Sequence, residues 1–143
     1  MIVADVNLLV AASRQDHVHH HTARPYLVNA LGHSGVIVPD AVWSGFLRVV
    51  TSHRIFRIPT PLAEALAFVH AMTSAPGYRS VAGLTDSLAP FLSVVADSNA
   101  TGDLVPDAYI AAVAIANGCP VASFDRDFRR FNGLQIDVPA TAN

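Results

Sequence analysis

Three aspartates stand where the chain around them is apolar. Asp5 follows Ile2-Val3-Ala4, Asp107 opens the run Val105-Pro106-Asp107-Ala108-Tyr109-Ile110-Ala111-Ala112-Val113-Ala114, and Asp125 follows Val121-Ala122-Ser123-Phe124. An ionised carboxylate beside packed apolar surface is costly unless it meets a cation or several donors, so the three point to a shared positive partner. Convergent carboxylates suit Mg²⁺, and Mn²⁺ as well, because these ions prefer oxygen ligands and keep waters free for a substrate phosphate. Such an ion lowers the pKa of a water, orients it for in-line attack on phosphorus and stabilises charge on the leaving oxygen. That chemistry is phosphodiester hydrolysis.

Only folding brings three such residues together, and the intervening pattern indicates how. Ile2 to Asn7 reads as a buried parallel strand whose polar end emerges at Asp5, followed by a helix over Leu8 to Ser13 that Asn7 is placed to cap. Ligands of open parallel sheets collect at the carboxyl ends of strands, which makes Asp5 a candidate on position alone. A helix is expected from Thr22 to Leu31, a strand at Val36-Ile37-Val38, and a helix from Pro39 to about Ser52 with Asp40 as N-cap. Thr60-Pro61 starts another helix, with Leu62, Leu66, Phe68 and Val69 as its apolar stripe. Pro76-Gly77 ends it, Tyr78 to Leu84 holds a short strand, and Thr85 or Asp86 caps a helix to about Asp97 that Pro90 delays or kinks. The helix carrying Asp107 ends at Gly118. Val121 to Ser123 is the next strand, Asp127 to Phe131 a short turn, and Leu134 to Val138 an edge strand. Short apolar strands alternating with helices define an α/β/α sandwich around a mainly parallel sheet of four to five strands.

The 143 residues fit a single domain with one proper core. Apolar residues make up 52% and charged ones 14%, too few charges to cover the surface, so some apolar surface is expected to meet another chain. No apolar run reaches the roughly 20 residues a spanning helix needs, and a cytoplasmic location is expected. The lone Cys119, between Gly118 and Pro120, reads as a buried residue at a helix exit. A net charge of −2 excludes a broadly basic, non-specific nucleic-acid binder, though not a nuclease. All nine basic residues are arginines, whose planar fork suits phosphate.

Several residues admit a plainer reading. Residues 16 to 21, Asp-His-Val-His-His-His, invite a metal reading, but no matching distant ligand set accompanies them, and an exposed loop running into a helix start is the simpler account. Asp107 alone could be a first-turn acid favoured by the helix dipole, until its spacing from Asp125 is considered. Asp127 is equally a solvated turn acid or a member of the site. Arg126, Arg129 and Arg130 form either a substrate-facing basic edge or a solvated turn. Trp43, Phe46 and Leu47 belong to the core, or to a groove that receives a partner segment.

The runs Val3-Ala4-Asp5-Val6-Asn7, Gly45-Phe46-Leu47-Arg48-Val49-Val50-Thr51, Thr101-Gly102-Asp103-Leu104-Val105-Pro106-Asp107-Ala108 and Ser123-Phe124-Asp125-Arg126-Asp127-Phe128 resemble PIN-domain ribonucleases, in order and spacing across nearly the whole chain. The resemblance is to the VapC toxins of bacterial toxin–antitoxin pairs, in particular their mycobacterial branch. It implies an α/β/α fold and a Mg²⁺- or Mn²⁺-dependent endoribonuclease acting on structured RNA such as tRNA or rRNA, with 5′-phosphate and 3′-hydroxyl products. It also implies homodimers and inhibition by a cognate VapB antitoxin. Asp5, Asp107 and Asp125 match the acids of the first strand, the later helix and the fourth strand. Asp127 matches an additional acid of many members, and Asn7 and Ser123 match supporting residues, Ser123 being the hydroxyl that helps to order the site.

One position departs from that pattern. PIN domains commonly carry a glutamate in the helix after the second strand, and Gly45 stands there instead. Asp40, five residues away, is rotated by roughly 140° and does not replace it. Asp103, four residues before Asp107, is either a cap or loop residue or a member of the metal shell. Arg48, one turn beyond Gly45, is a surface or ion-pair residue or a contact for RNA or antitoxin. Two other functions compete with the nuclease: a PIN module degenerate through the absent glutamate, which binds RNA or protein without cutting, and a phosphotransfer enzyme using Asp5 as nucleophile. The latter fits poorly, since Asn7 stands where a second acid is usual and the chain has no lysine.

Overall fold

The computed structural model describes residues 1–81 and 86–140. Its elements run in the order β1 (Ile2–Ala4), α1 (Val6–Ser13), α2 (His20–Gly32), β2 (Val36–Ile37), α3 (Asp40–Val50), α4 (Leu62–Thr73), β3 (Tyr78–Arg79), α5 (Leu88–Ser98), α6 (Leu104–Ala116), β4 (Val121–Ala122), a 3₁₀ turn (Arg126–Arg130) and β5 (Ile136–Asp137). The five strands form one sheet in the order β3-β2-β1-β4-β5, parallel throughout. The expected α/β architecture with a parallel sheet is what the chain adopts.

Val3, Ala4, Val36, Ile37, Val121 and Ala122 are fully buried, as continuous apolar strands covered on both faces must be. Helices α1 to α4 pack successively, α1 on α2 and α3, α3 on α4, while α5 pairs with α6 and α6 lies against β1 and β4. The chain builds outward from β1 to β3, then crosses back to lay β4 on the other side of β1. This reversal opens a crevice at the carboxyl ends of β1 and β4. The edges are blunted by length and charge, since β3 and β5 have two residues each and include Arg79 and Asp137.

Several local expectations are corrected. Asp5, not Asn7, caps α1, accepting the Val6 N–H at 2.7 Å, and the helix starts two residues early. Helix α2 likewise begins at His20 instead of Thr22. Pro39 occupies the N-cap position of α3 and Asp40 the first turn. Pro61 does the same for α4, because the Thr60 hydroxyl is engaged by Arg14. The stripe of α4 mixed two faces: Ala65, Phe68, Val69 and Met72, at i, i+3, i+4 and i+7, turn inward, whereas Leu62 and Leu66 are exposed. Strand β3 is limited to Tyr78–Arg79, and Leu84 and Thr85 lie outside the described residues. Asp86 accepts the Leu88 N–H at 3.0 Å, and Pro90 falls in the first turn of α5, where a late start accommodates it. Gly118 follows α6 at φ +63°, the conformation that ends a helix and that glycine adopts freely; Cys119 behind it is buried.

One buried cation had no signature in the sequence. Arg14, 8% exposed, donates to both Asp16 oxygens (3.0 and 2.7 Å), to Thr60 Oγ1 (3.1 Å) and to the Ile58 carbonyl (3.0 Å), with Phe56 stacked 3.8 Å from its guanidinium carbon. It fastens the irregular segment between α3 and α4 onto the end of α1. Asp16 is 68% exposed, so the ion pair itself contributes little; the links to the 56–60 segment carry the effect. Accordingly, Arg14→Met should lower unfolding stability by about 2 kcal/mol in urea titration, while Asp16→Asn should lower it by only a few tenths.

Candidate active site

Backbone hydrogen bonds carry the sheet ladder straight into the site. The Asp5 N–H donates to the Ala122 carbonyl (3.2 Å) and the Ser123 N–H to that of Asp137 (3.2 Å), so the residues just past β1 and β4 are held side by side. Ser123 is fully buried between them. Its hydroxyl donates to Asp5 Oδ2 (2.8 Å) and accepts from Asn7 Nδ2 (3.0 Å) and the Asp125 N–H (2.9 Å), using its one proton and both lone pairs. The Asn7 Oδ1 in turn accepts the Phe124 N–H (3.2 Å), and Asp125 Oδ1 accepts the Asp127 N–H (2.8 Å). Among the described residues no buried side-chain polar atom lacks a partner.

Asp5 is 6% exposed at the centre of this network. Burial raises its pKa above the usual carboxylate value, against the lowering effect of the Ser123 and Val6 hydrogen bonds, and Asp125 adds repulsion. Asp107, half-buried in the first turn of α6, is pushed up to about 6, first by burial, then by the charges of Asp5, Asp125 and Asp127, with Arg130 opposing. Fold and electrostatics thus bring Asp5, Asp107 and Asp125 into mutual range. As the side chains lie, no three His, Cys, Asp or Glu among the described residues close on one point at coordinating distance. The donor chemistry nevertheless fits a hard divalent cation: all donors are carboxylate oxygens, and the ion pair found among the described residues, Arg14 with Asp16, lies elsewhere.

A groove of about 770 Å³ opens beside the acids, lined by Asp5, Val6, Gly45 and Arg48 on one side and by Asp103, Asp107 and Tyr109 on the other. Asp125 is not in this lining and meets the cluster from the β4 side. Asp103 occupies the N-cap position of α6, just outside the helix, but its side chain makes no capping hydrogen bond and is an exposed acid on the groove wall. Arg48 is exposed on the same groove, and Arg126 and Asp127 are exposed on the 3₁₀ turn. Phe46 and Trp43 are core residues and Leu47 packs partly against them, so they do not form a receiving surface. Gly45 faces α1: a Cβ placed there comes within 2.9 Å of Val6 Cγ2, a stiff branched side chain. The position of the missing glutamate is therefore closed by a helix contact.

Of the histidines, His20 turns inward and its ring Nδ1 pairs with the Ala11 carbonyl at 2.9 Å, while His17 and His19 remain in the loop before α2. The bonds by which Asn7 supports the site, to Ser123 and Phe124, and the stacking of His19 on Phe124 could not be read from the sequence, because each partner is more than 100 residues away.

A parallel sheet with an acid cluster at its reversal point defines the class, and comparison with known proteins agrees. The PIN domain family model matches residues 2–134. The chain belongs to the PIN-domain VapC ribonuclease toxins. It is 43% identical over 136 residues to ribonuclease VapC31 of Mycobacterium tuberculosis, covering 94% of this chain and 96% of that one, and 42% identical to ribonuclease VapC25 of the same organism with the same coverage. In structure it is similar to VapBC2 of Rickettsia felis, crystallised on a DNA fragment of its promoter (TM-score 0.71, 14% identity, 96% of this chain and 98% of that one). It is also similar to Mycobacterium tuberculosis VapC20, a toxin that cleaves the sarcin–ricin loop (TM-score 0.66, 19% identity, 94% and 99% coverage).

Two outcomes follow from this geometry. Folded Asp107 holds its proton up to about pH 6, whereas the unfolded group releases it near 3.8, so its contribution to stability is lost as pH rises from about 4 to 6 and stays absent above. Asp107→Asn should therefore raise the melting temperature of chelator-treated protein at pH 7.5 and leave it nearly unchanged at pH 4. Ser123→Ala orphans the Asn7 amide and the Asp125 N–H and should cost about 1–3 kcal/mol in chemical denaturation.

Proposed function

We propose that this chain is the toxin of a type II toxin–antitoxin pair, a Mg²⁺- or Mn²⁺-dependent endoribonuclease that cleaves structured RNA, either tRNA or rRNA. The observation that carries the reading is the gathering of Asp5, Asp107 and Asp125, from three separate elements, at the reversal point of the sheet, with Asp107 raised to about 6 by burial and by the neighbouring carboxylates. These three would hold the ion, with Asp103 and Asp127 as additional acids around it. When bound, the ion offsets the carboxylate charge and provides the acidified water and phosphate polarisation that hydrolysis requires.

The chain's own residues do the rest. Ser123 fixes the rotamer of Asp5 and, through the Asp125 N–H, the turn that carries Asp125. Asn7 holds the Phe124 backbone and so the spacing of the two acids. Arg48, on the groove wall across from Asp103 and Asp107, is suited to receive a phosphate oxygen, and Arg126 to meet the RNA backbone or the antitoxin. The products would carry 5′-phosphate and 3′-hydroxyl ends.

The chain is further proposed to work as one PIN unit in the cytoplasm, as a homodimer, and to be inhibited by a VapB-type antitoxin, as the VapBC complexes among its structural neighbours support. The exposed Leu88 and Leu92 of α5 and Leu62 and Leu66 of α4 are apolar surface such partners would cover. Among the described residues no helix is long and apolar enough to cross a membrane. The contact between Gly45 and Val6 favours a second reading, a PIN module that binds RNA or a partner without cutting, because it removes an acid common in the family.

Cleavage of total bacterial RNA by antitoxin-free protein separates the two. Discrete fragments with Mg²⁺ or Mn²⁺, abolished by chelator and reduced more than about 100-fold in Asp5→Asn, are the expected result; Asp103→Asn should cost about tenfold. Absence of cleavage by folded protein in either ion would establish the binding module instead.

A further inference from the structure

The loop of residues 14–19 ends against Phe124, the residue before Asp125. The His19 ring stacks on Phe124, with centroids 4.3 Å apart and planes within 10° of parallel. Phe124 is bonded directly to Asp125, and its N–H is held by Asn7, so the stack stands one peptide unit from the acid cluster, where consecutive Cα atoms are about 3.8 Å apart. The loop is also braced. The His19 N–H donates to His17 Nδ1 (3.1 Å), the His19 carbonyl accepts from Ala23 (2.8 Å), and buried His20 ties the start of α2 to α1.

His19 itself is exposed, as is Val18 beside it, which is 84% exposed. Although His19 occupies the N-cap position of α2, its side chain makes no cap hydrogen bond. The imidazole faces solvent, has no capping task and is fixed flat on a half-buried phenyl ring, with the His17 ring tilted beside it at 5.8 Å. It presents an oriented π surface seated on the residue before Asp125.

We propose that His19, seated on Phe124, is a positioning residue that stacks an unpaired RNA base and so sets the adjoining phosphate beside the acids. The proposal rests on the ribonuclease reading and deepens it, naming an unpaired segment of the RNA as the part that is gripped. Proteins that read single-stranded RNA stack splayed bases on aromatic rings, histidine included, and such contacts tolerate many sequences because every base has a π face.

The test measures binding apart from cutting. Chelator-treated wild type, His19→Ala, His19→Phe and His19→Lys are titrated with a fluorescent single-stranded hexaribonucleotide and with a duplex RNA of equal length. Melting temperatures establish that each variant is folded. His19→Ala and His19→Lys should weaken single-strand binding about tenfold, His19→Phe should hold it within about threefold, and duplex binding should not change. In parallel Mg²⁺-dependent cleavage, His19→Ala should raise KM with little change in kcat. Equal single-strand affinity of wild type and His19→Ala, failure of His19→Phe to rescue, an equal loss on duplex, or no single-strand binding by wild type would each overturn the proposal. Rescue by phenylalanine in a protein that never cleaves would uphold the platform and overturn the ribonuclease reading.

Discussion

A carboxylate that is nearly inaccessible, set at the end of a central strand beside other carboxylates, is the constraint to which the rest of this molecule answers. Asp5 cannot sit 6% exposed and charged without compensation, and the chain compensates with two donors, the Ser123 hydroxyl and the Val6 N–H. It also places Asp107 nearby, where burial and mutual repulsion lift that residue's pKa to about 6. The donors hold Asp5 in one orientation; the repulsion is left standing. A protein shaped only for stability would not gather these groups, since replacing a charge in such a cluster relieves strain. The residual repulsion is what a bound divalent cation would relieve.

The sheet makes this gathering possible. Strands β1 and β4 are adjacent and parallel, so residues just past each end emerge on the same edge, and Ser123 bridges the gap with a single hydroxyl. Helix α6 lies against both strands and delivers Asp107 from its first turn. Serine suits the bridging position because it combines one donor with two acceptors on a small side chain; alanine would leave the network open and a larger polar residue would not fit a fully buried site.

What was legible in the sequence was the backbone plan. The apolar runs at Ile2, Val36 and Val121 announced central strands, Gly118 marked the end of α6, and the acids after β1 and β4 and within α6 were visible because they interrupted apolar stretches. What was not legible depended on partners distant in the chain. Asn7 has the composition of a helix cap, yet its amide serves Ser123 and Phe124, 116 and 117 residues on, and Asp5 takes the cap. Thr60 also reads as a cap but is occupied by Arg14, 46 residues before it. Capping side chains have one or two bonds to give, and a tertiary partner withdraws them from the local role. The stripe of α4 failed for a different reason, because the choice between two overlapping apolar faces was made by the neighbouring helix.

The glycine at position 45 shows how one residue can be at once a packing device and a change in the charge of a site. Glycine inside a helix costs about 0.5–1 kcal/mol relative to alanine, so its presence in α3 requires an offsetting gain, and the close approach of α3 to Val6 of α1 is that gain. The same approach crowds any side chain at position 45 against Val6. The groove-lining residues of α3 are Ala41, Val42, Ser44, Gly45 and Arg48, without an acid among them, while α6 and the residue before it line the groove with Asp107 and Asp103. The groove is thereby divided, with Asp103 and Asp107 along α6 and, on the other side, Arg48 together with Asp5. A phosphodiester drawn into such a groove meets a cation on one wall, and carboxylates that would attract it only through a bound metal ion. The close contact at Gly45 thus shifts part of the charge balance from the number of acids to the placement of Arg48.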